Sequence, residues 1–183
     1  RHENISGSVD NLLIGVESAN DQQETSPGVS VFFPWNDSFS LVAGVHRGFS
    51  PSGPGSSGVS AEESVNYEAG LRFQRGELFA EAIGFFSDYS NLLGRCRISD
   101  FGCQPGDEFS GGAVEIYGLE TMLDYSMPLG EEFSFSLKGS YTYTHSEFQD
   151  SFLSTFSQFG IVRAGDELPY LPQHMANVDA RLT

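Results

Sequence analysis

The segment VNYEAGLRFQ, residues 65–74, alternates apolar and polar side chains over its full length. Valine, tyrosine, alanine, leucine and phenylalanine fill the odd positions, and polar residues or glycine fill the even ones. Successive side chains of a β-strand point to opposite faces, so this segment predicts a strand with one apolar and one polar face. The segment FSFSLKGSYTYTH, residues 133–145, repeats the pattern with small hydroxyl residues on its polar face. Such hydroxyl groups suit a wet surface better than a dry protein core.

Seven segments of this kind are predicted as strands. They are Val29–Trp35, Phe39–Gly48, Ser64–Gln74, Glu77–Ser90, Ala113–Ser126, Glu132–Ser146 and His174–Thr183. A further strand is predicted to end within residues 1–5, followed by a long loop over residues 6–27.

The connections between the seven segments alternate in length. The short ones lie around residues 36–38, 75–76 and 127–131, and the long ones cover 48–63, 91–111 and 147–172. All short turns therefore fall at one end of the predicted sheet. A transmembrane β-barrel has this arrangement, because short turns face the periplasm and long loops face outward. The expected fold is an all-β, antiparallel, up-and-down transmembrane β-barrel, of which this chain supplies seven or eight strands.

The first two short connections predict how neighbouring strands pair. As a three-residue loop, the first sets Phe33 opposite Leu41. As a two-residue loop, the second sets Phe73 opposite Leu78. Both registers keep apolar side chains together on one face, whereas a slip of one residue would oppose apolar and polar side chains.

The third short connection, taken as a five-residue loop, sets Tyr125 opposite Phe133. On the polar face the same register sets Glu120 opposite Lys138. We therefore expect Glu120 and Lys138 to form an ion pair on the barrel wall, a contact that stabilises a sheet by only about 0.2–1 kcal/mol and requires no function.

The composition excludes several classes of protein. With 9 Lys and Arg against 25 Asp and Glu, the 183-residue chain has a net charge of −16, which disfavours binding to nucleic acid. No apolar run approaches the roughly 20 residues of a membrane helix, whereas a barrel strand needs only about 9–11 residues, half of them apolar. The 16 Phe, 7 Tyr and 21 Gly residues fit a barrel with aromatic girdles and looped rims.

No arrangement of residues typical of an enzyme is present in the sequence. The four histidines do not pair at metal-ligand spacing, and no nucleophile motif is found. We expect neither an enzymatic activity nor a cofactor or bound metal.

Two cysteines, Cys96 and Cys103, lie in one loop that is rich in glycine and aspartate. A local disulfide in an oxidising compartment is the favoured interpretation, and two free thiols are the alternative. A zinc site would need further ligands, and the loop contains no histidine or third cysteine.

Six motifs follow one another along the chain: LVAGVHRGFSP at 41–51, EESVNYEAGLR at 62–72, FFSDYSN at 85–91, GLE at 118–120, SYTYT at 140–144 and ELPYLPQH at 167–174. In this order they resemble the barrel of TonB-dependent outer-membrane receptors, and within that family they look most like the ferric citrate-type receptors.

The resemblance implies a plugged barrel of about 22 strands in the bacterial outer membrane. It implies energy-coupled uptake of a ferric chelate, such as ferric citrate or a siderophore. Residues 1–183 would then be a partial barrel domain, without the plug domain and the C-terminal strands. The expected partners are outer-membrane lipid, a ferric chelate or other small ligand, the receptor's own plug domain and the TonB complex.

Three arginines are candidate ligand contacts. Arg47 lies at the predicted outer rim, and Arg95 and Arg97 flank Cys96 in a long loop. Guanidinium groups bind oxyanions in a bidentate fork, which suits carboxylate or catecholate chelates of iron. The alternative is that these arginines form salt bridges with nearby acidic residues or only increase solubility.

Two other functions are compatible with the pattern of strands. One is a passive, porin-like outer-membrane channel, and the other is a soluble, surface-exposed β-sheet module that binds a partner.

Overall fold

The computed structural model describes residues 2–11, 16–53, 60–95, 108–130, 132–154 and 160–183. Thirteen strands are found in this part of the chain: β1 (His2–Asn11), β2 (Val16–Thr25), β3 (Gly28–Pro34), β4 (Phe39–Ser50), β5 (Glu62–Arg75), β6 (Leu78–Tyr89), β7 (Leu93–Arg95), β8 (Glu108–Ser110), β9 (Val114–Leu129), β10 (Phe133–Phe148), β11 (Phe152–Leu153), β12 (Ile161–Val162) and β13 (His174–Leu182). Within the described residues, no helix is long and apolar enough to span a membrane.

Seven of these strands form one antiparallel sheet in the order β13-β10-β9-β6-β5-β4-β3. The sheet is up-and-down, since each of its strands pairs with the sheet strand that precedes or follows it along the chain. All seven strands predicted from the sequence are present, with boundaries that differ by three residues or fewer.

Three two-stranded sheets accompany the main one. Strands β7 and β8 pair within the second long connection, and β11 and β12 pair within the third. The prediction for the N-terminal region was wrong, because β1 extends to Asn11 and pairs with β2 in a region expected to be a long loop. Neither segment has the regular apolar alternation on which the other strands were predicted.

The registers test the three predicted turns. Between β3 and β4, Phe33 lies opposite Leu41, so the first register is confirmed. Between β5 and β6 the prediction was wrong by two residues, because Phe73 lies opposite Ala80 rather than Leu78. The loop there is Gly76-Glu77, with Gly76 at φ 56°. A glycine with positive φ at the first position of a two-residue hairpin loop suits the right-handed twist of the strands.

The third register differs from the prediction by four residues. Phe133 lies opposite Leu129, and the loop is shortened to residues 130–132, with Gly130 at φ 83°. Lys138 consequently lies opposite Asp124, and Glu120 lies opposite Thr142, so the predicted ion pair between Glu120 and Lys138 is not formed. The side-chain pattern has a period of two, so a shift by two or four residues leaves every side chain on its predicted face.

The two faces of the sheet differ in chemistry in the way the alternation predicts. One paired row of the apolar face crosses all seven strands, and it consists of Phe33, Leu41, Leu71, Ala82, Thr121, Tyr141 and Ala176. An adjacent row on the opposite face holds Ser40, Arg72, Glu81, Met122, Ser140 and Asn177. Large apolar side chains such as Val31 and Val178 are 60% and 74% exposed on the apolar face. A patch of this extent marks a surface that an apolar phase or a partner covers.

The buried core is small and lies at the end of the sheet that carries the long connections. It consists of Val114, Phe148 and Val162, with Tyr89, Leu92, Ile116, Phe152 and Leu168 packed around it. Val114 and Phe148 lie opposite each other at the ends of β9 and β10, in the rows of the polar face. The core therefore joins the long connections to the polar face and leaves the apolar face uncovered.

Candidate functional site

The polar face contains a hollow of about 470 Å³ whose walls are rich in carboxylates. Arg72 and Glu81 lie directly opposite each other there, with 2.6 Å between the Arg72 Nε and the Glu81 Oε2. The Arg72 guanidinium also lies 5.7 Å above the centre of the Phe79 ring. Glu68 and Glu120 line the same hollow, so it contains three carboxylates and one guanidinium.

A second ion pair lies farther along the polar face. The Lys138 Nζ is 2.9 Å from the Asp124 Oδ2, and the Lys138 side chain is well exposed. An exposed cross-strand pair of this kind contributes about 0.2–1 kcal/mol, so it has a modest effect on the stability of the wall.

Carboxylate side chains connect the first long connection to the second. The Gly53 N–H donates to the Glu108 Oε2 at 2.6 Å, and the Leu93 N–H donates to the Glu62 Oε2 at 2.9 Å. Tyr89 lies at the loop end of β6 and packs against the buried core of Val114, Phe148 and Val162. The two connections are therefore held together by contacts far apart in sequence.

The third long connection folds back onto the end of β10. The Phe148 N–H donates to the Asp166 carbonyl at 2.9 Å, and the Gly165 N–H donates to the Phe148 carbonyl at 2.8 Å. The Leu168 N–H donates to the Ser146 Oγ at 3.1 Å. The Gln149 N–H donates to the Ala113 carbonyl at 2.9 Å, which links the start of the third connection to the end of the second.

Arg47 lies on the apolar side of the sheet rather than on the polar side. It is opposite Val65 in the register of β4 and β5, and its Nη2 is 2.7 Å from the Glu63 Oε2. The same row continues with Asp88 on β6 and Glu115 on β9, which lie directly opposite each other, so the apolar face becomes charged at this row. Arg47 thus lies at the expected rim and forms an ion pair with Glu63 there. The contact of Arg47 with a ligand stays a prediction.

The other predicted site residues are only partly covered by the structure. Arg95 ends β7 and pairs along the backbone with Glu108, and its side chain lies outside the described part. Arg97, Cys96 and Cys103 also lie outside the described residues, so their predicted ligand contact and disulfide stay predictions.

The structure shows a histidine and tyrosine cluster that the sequence did not predict. The Tyr141 Oη and the His174 Nδ1 are 2.9 Å apart, and the His145 ring centroid is 5.0 Å from that of Tyr117. The His145 Nδ1 lies 3.6 Å from the Glu167 Oε1, which brings the third long connection to β10. The contact of His145 with Tyr117 depends on the register of β9 and β10, which the alternation left undetermined.

Among the residues that the structure covers, no group of three or more His, Cys, Asp or Glu side chains could hold a metal ion.

The geometry defines a class of protein. An up-and-down sheet with one apolar face, one polar face and every long connection at the same end forms the wall of an outer-membrane β-barrel. Residues 1–183 match the family described as TonB dependent receptor-like, beta-barrel, and the chain belongs to this family. The membership confirms the expected family, the fold class and the location in the bacterial outer membrane. The family is one of receptors and is not a known enzyme family.

Two curated relatives are iron-regulated outer membrane virulence proteins of Vibrio cholerae, from an El Tor strain and a classical strain. They are 30% and 29% identical to this chain over 135 residues, which is 68% of the chain and 19% of each relative. The chain thus spans about a fifth of the length of these relatives. Among solved structures, the siderophore receptor PirA from Pseudomonas aeruginosa is similar with 22% identity and a TM-score of 0.49, over 73% of this chain and 30% of the receptor.

Proposed function

We propose that the chain is a barrel segment of a receptor that takes up a ferric chelate, such as ferric citrate or a siderophore, with energy from the TonB complex. The observation that carries the proposal is the family match along the whole chain. The relatives from Vibrio cholerae are described as iron-regulated, which favours an iron compound as the ligand. The proposal includes a plug domain of the same receptor as the partner of the polar face.

The two faces support this function by separate routes. The exposed apolar face suits outer-membrane lipid, which argues against a soluble binding module. The polar face, with ion pairs such as Arg72–Glu81, suits an interior that contacts water and a plug. The joined long connections form a structured outer surface on which a ligand could be bound before transport.

Uptake of labelled iron by intact cells tests the proposal. The complete receptor gene would be deleted and restored in its host, in the presence and in the absence of a working TonB complex. We expect the restored strain to accumulate iron-55 from ferric citrate or from a siderophore only when TonB is functional. Uptake of small solutes that is independent of TonB would instead support a passive channel, and no effect of the deletion on any iron source would refute the proposal.

A further inference from the structure

The second long connection, between β6 and β9, is closed on itself where it leaves the sheet. The Leu92 N–H donates to the Gly112 carbonyl at 2.9 Å. Directly beyond this bond, β7 pairs with β8, and Leu93 lies opposite Ser110. Residues 91–95 and 108–113 therefore lie side by side as a short two-stranded segment, termed here the central base.

The first long connection is fastened to the central base by hydrogen bonds. The Gly53 N–H donates to the Glu108 carboxylate at 2.6 Å. The Asn91 Nδ2 donates to the Ser60 carbonyl at 2.9 Å. In both bonds a side chain of the central base binds the backbone of the first connection, so these backbone groups lose their partners when the central base opens.

The third long connection is fastened to the central base mainly by apolar packing. Leu92 packs against the buried core to which Val162 of β12 belongs. The Gln149 N–H also donates to the Ala113 carbonyl at 2.9 Å. Opening of the third connection would remove Val162 from this core, and Leu92 would then lose part of its apolar surroundings.

The central base is too small to be stable without its neighbours. Only three residues of β7 pair with three residues of β8. An isolated two-stranded hairpin is marginally stable in water at best. The closed form of the central base therefore depends on the hydrogen bonds to the first connection and on the packing against the third. Segments that depend on shared contacts in this way open as cooperative units.

We propose that the central base couples the first and third long connections, so that the three connections open and close as one unit. When the third connection opens, Leu92 loses its packing, the central base loosens, and the Gly53 N–H loses its acceptor on Glu108. Coupling between two sites is reciprocal, so whatever orders one outer connection also favours the closed form of the other. The inference does not depend on the identity of a ligand or on the proposed function.

Hydrogen exchange of the full-length receptor in detergent, read by mass spectrometry, tests the coupling. Val162→Ala removes core packing within the third connection, where Val162 is 4% exposed. Ile161→Ala is the matched control, because Ile161 is the adjacent residue of the same strand and is 73% exposed. The reporting amides are those of Gly53 in the first connection and Leu93 in the central base. Amides of residues 65–74 in β5 show whether the barrel stays folded.

We expect Val162→Ala to raise the exchange rates of Gly53 and Leu93 about ten-fold, and Ile161→Ala to leave both rates unchanged. Leu92→Ala should raise the exchange rate of Gly53 as well. The double variant of Leu92 and Val162 should then exchange at Gly53 no faster than Leu92→Ala alone, because both substitutions act through the same segment.

The reverse direction uses a substitution that leaves the apolar core intact. Glu108→Ala removes the acceptor of the Gly53 N–H, whereas Glu108→Gln keeps an acceptor oxygen and serves as the conservative control. We expect Glu108→Ala to raise the exchange rates of Gly165 and Leu168 in the third connection about five-fold, and Glu108→Gln to leave them unchanged.

Three results would overturn the inference. The first is faster exchange in Val162→Ala that is confined to residues 160–172. The second is a double variant whose effect at Gly53 is the sum of the two single effects, since the connections would then open by independent routes. If Val162→Ala also exposes residues 65–74 and so unfolds the barrel, the Glu108 variants decide the question. Unchanged exchange of Gly165 and Leu168 in Glu108→Ala is the third overturning result.

Discussion

Replacing Phe148 by alanine should release the third long connection from the wall. Phe148 is 2% exposed and is the largest fully buried side chain among the described residues. Truncation of a buried phenylalanine to alanine costs about 3–5 kcal/mol, and loss of the edge-on contact with Phe152 falls within that cost. The third long connection borders the core and can partly collapse into the cavity that the substitution leaves. We therefore expect a loss of stability at the lower end of this range, about 3 kcal/mol. This corresponds to a roughly 100-fold increase in the population of the locally opened loop.

Hydrogen exchange of the full-length receptor in detergent, followed by mass spectrometry, measures this change. The reporting amides are those of Gly165 and Leu168, which bond to Phe148 and Ser146 in the base of the connection. Phe133→Ala is the matched control, because Phe133 lies at the opposite end of β10 and is 56% exposed. Unchanged exchange over residues 160–170 in the Phe148→Ala receptor would refute the view that this side chain anchors the connection.

Three further predictions concern the wall and the cysteine loop. Leu137→Arg, on the apolar face, should destabilise the inserted barrel by about 2–4 kcal/mol near the middle of the bilayer, whereas Ser136→Arg, on the polar face, should be tolerated. Denaturant unfolding of the receptor in lipid compares the two variants. Equal losses of stability would contradict the assignment of faces. Gly118→Ala should lower folded yield because a Cβ there would overlap the Tyr143 carbonyl oxygen, while Gly139→Ala meets only ordinary contacts, and heat-modifiable migration on gels distinguishes the two outcomes. The Cys96–Cys103 disulfide should leave no alkylatable thiol in unreduced receptor, so two alkylated cysteines in a mass spectrum would disprove it.

The sequence predicted the strands of the main sheet well because each strand has one apolar face. The segment at 65–74 is typical. All of its odd positions are apolar, and all of its even positions are polar except Gly70. The sequence predicted β1 and β2 poorly because the residues of these strands do not alternate between apolar and polar. The ligand candidates were the least predictable part. Arg47 was placed correctly at the loop end of a strand, but its ion pair with Glu63 follows from a pairing of strands across a long connection.

The sequence by itself determined which residues form the main strands, which face each side chain occupies, and at which end the long connections lie. These properties follow from local alternation and from the lengths of the connections, and neither depends on the exact pairing of strands. The tertiary structure alone decided the partners: Lys138 with Asp124 rather than Glu120, and Phe152 against Phe148 at the base of a loop. The physical reason is that shifts by an even number of residues preserve the faces. The turn glycines at 76 and 130 and the packing of the long connections on the polar face favour one register among them.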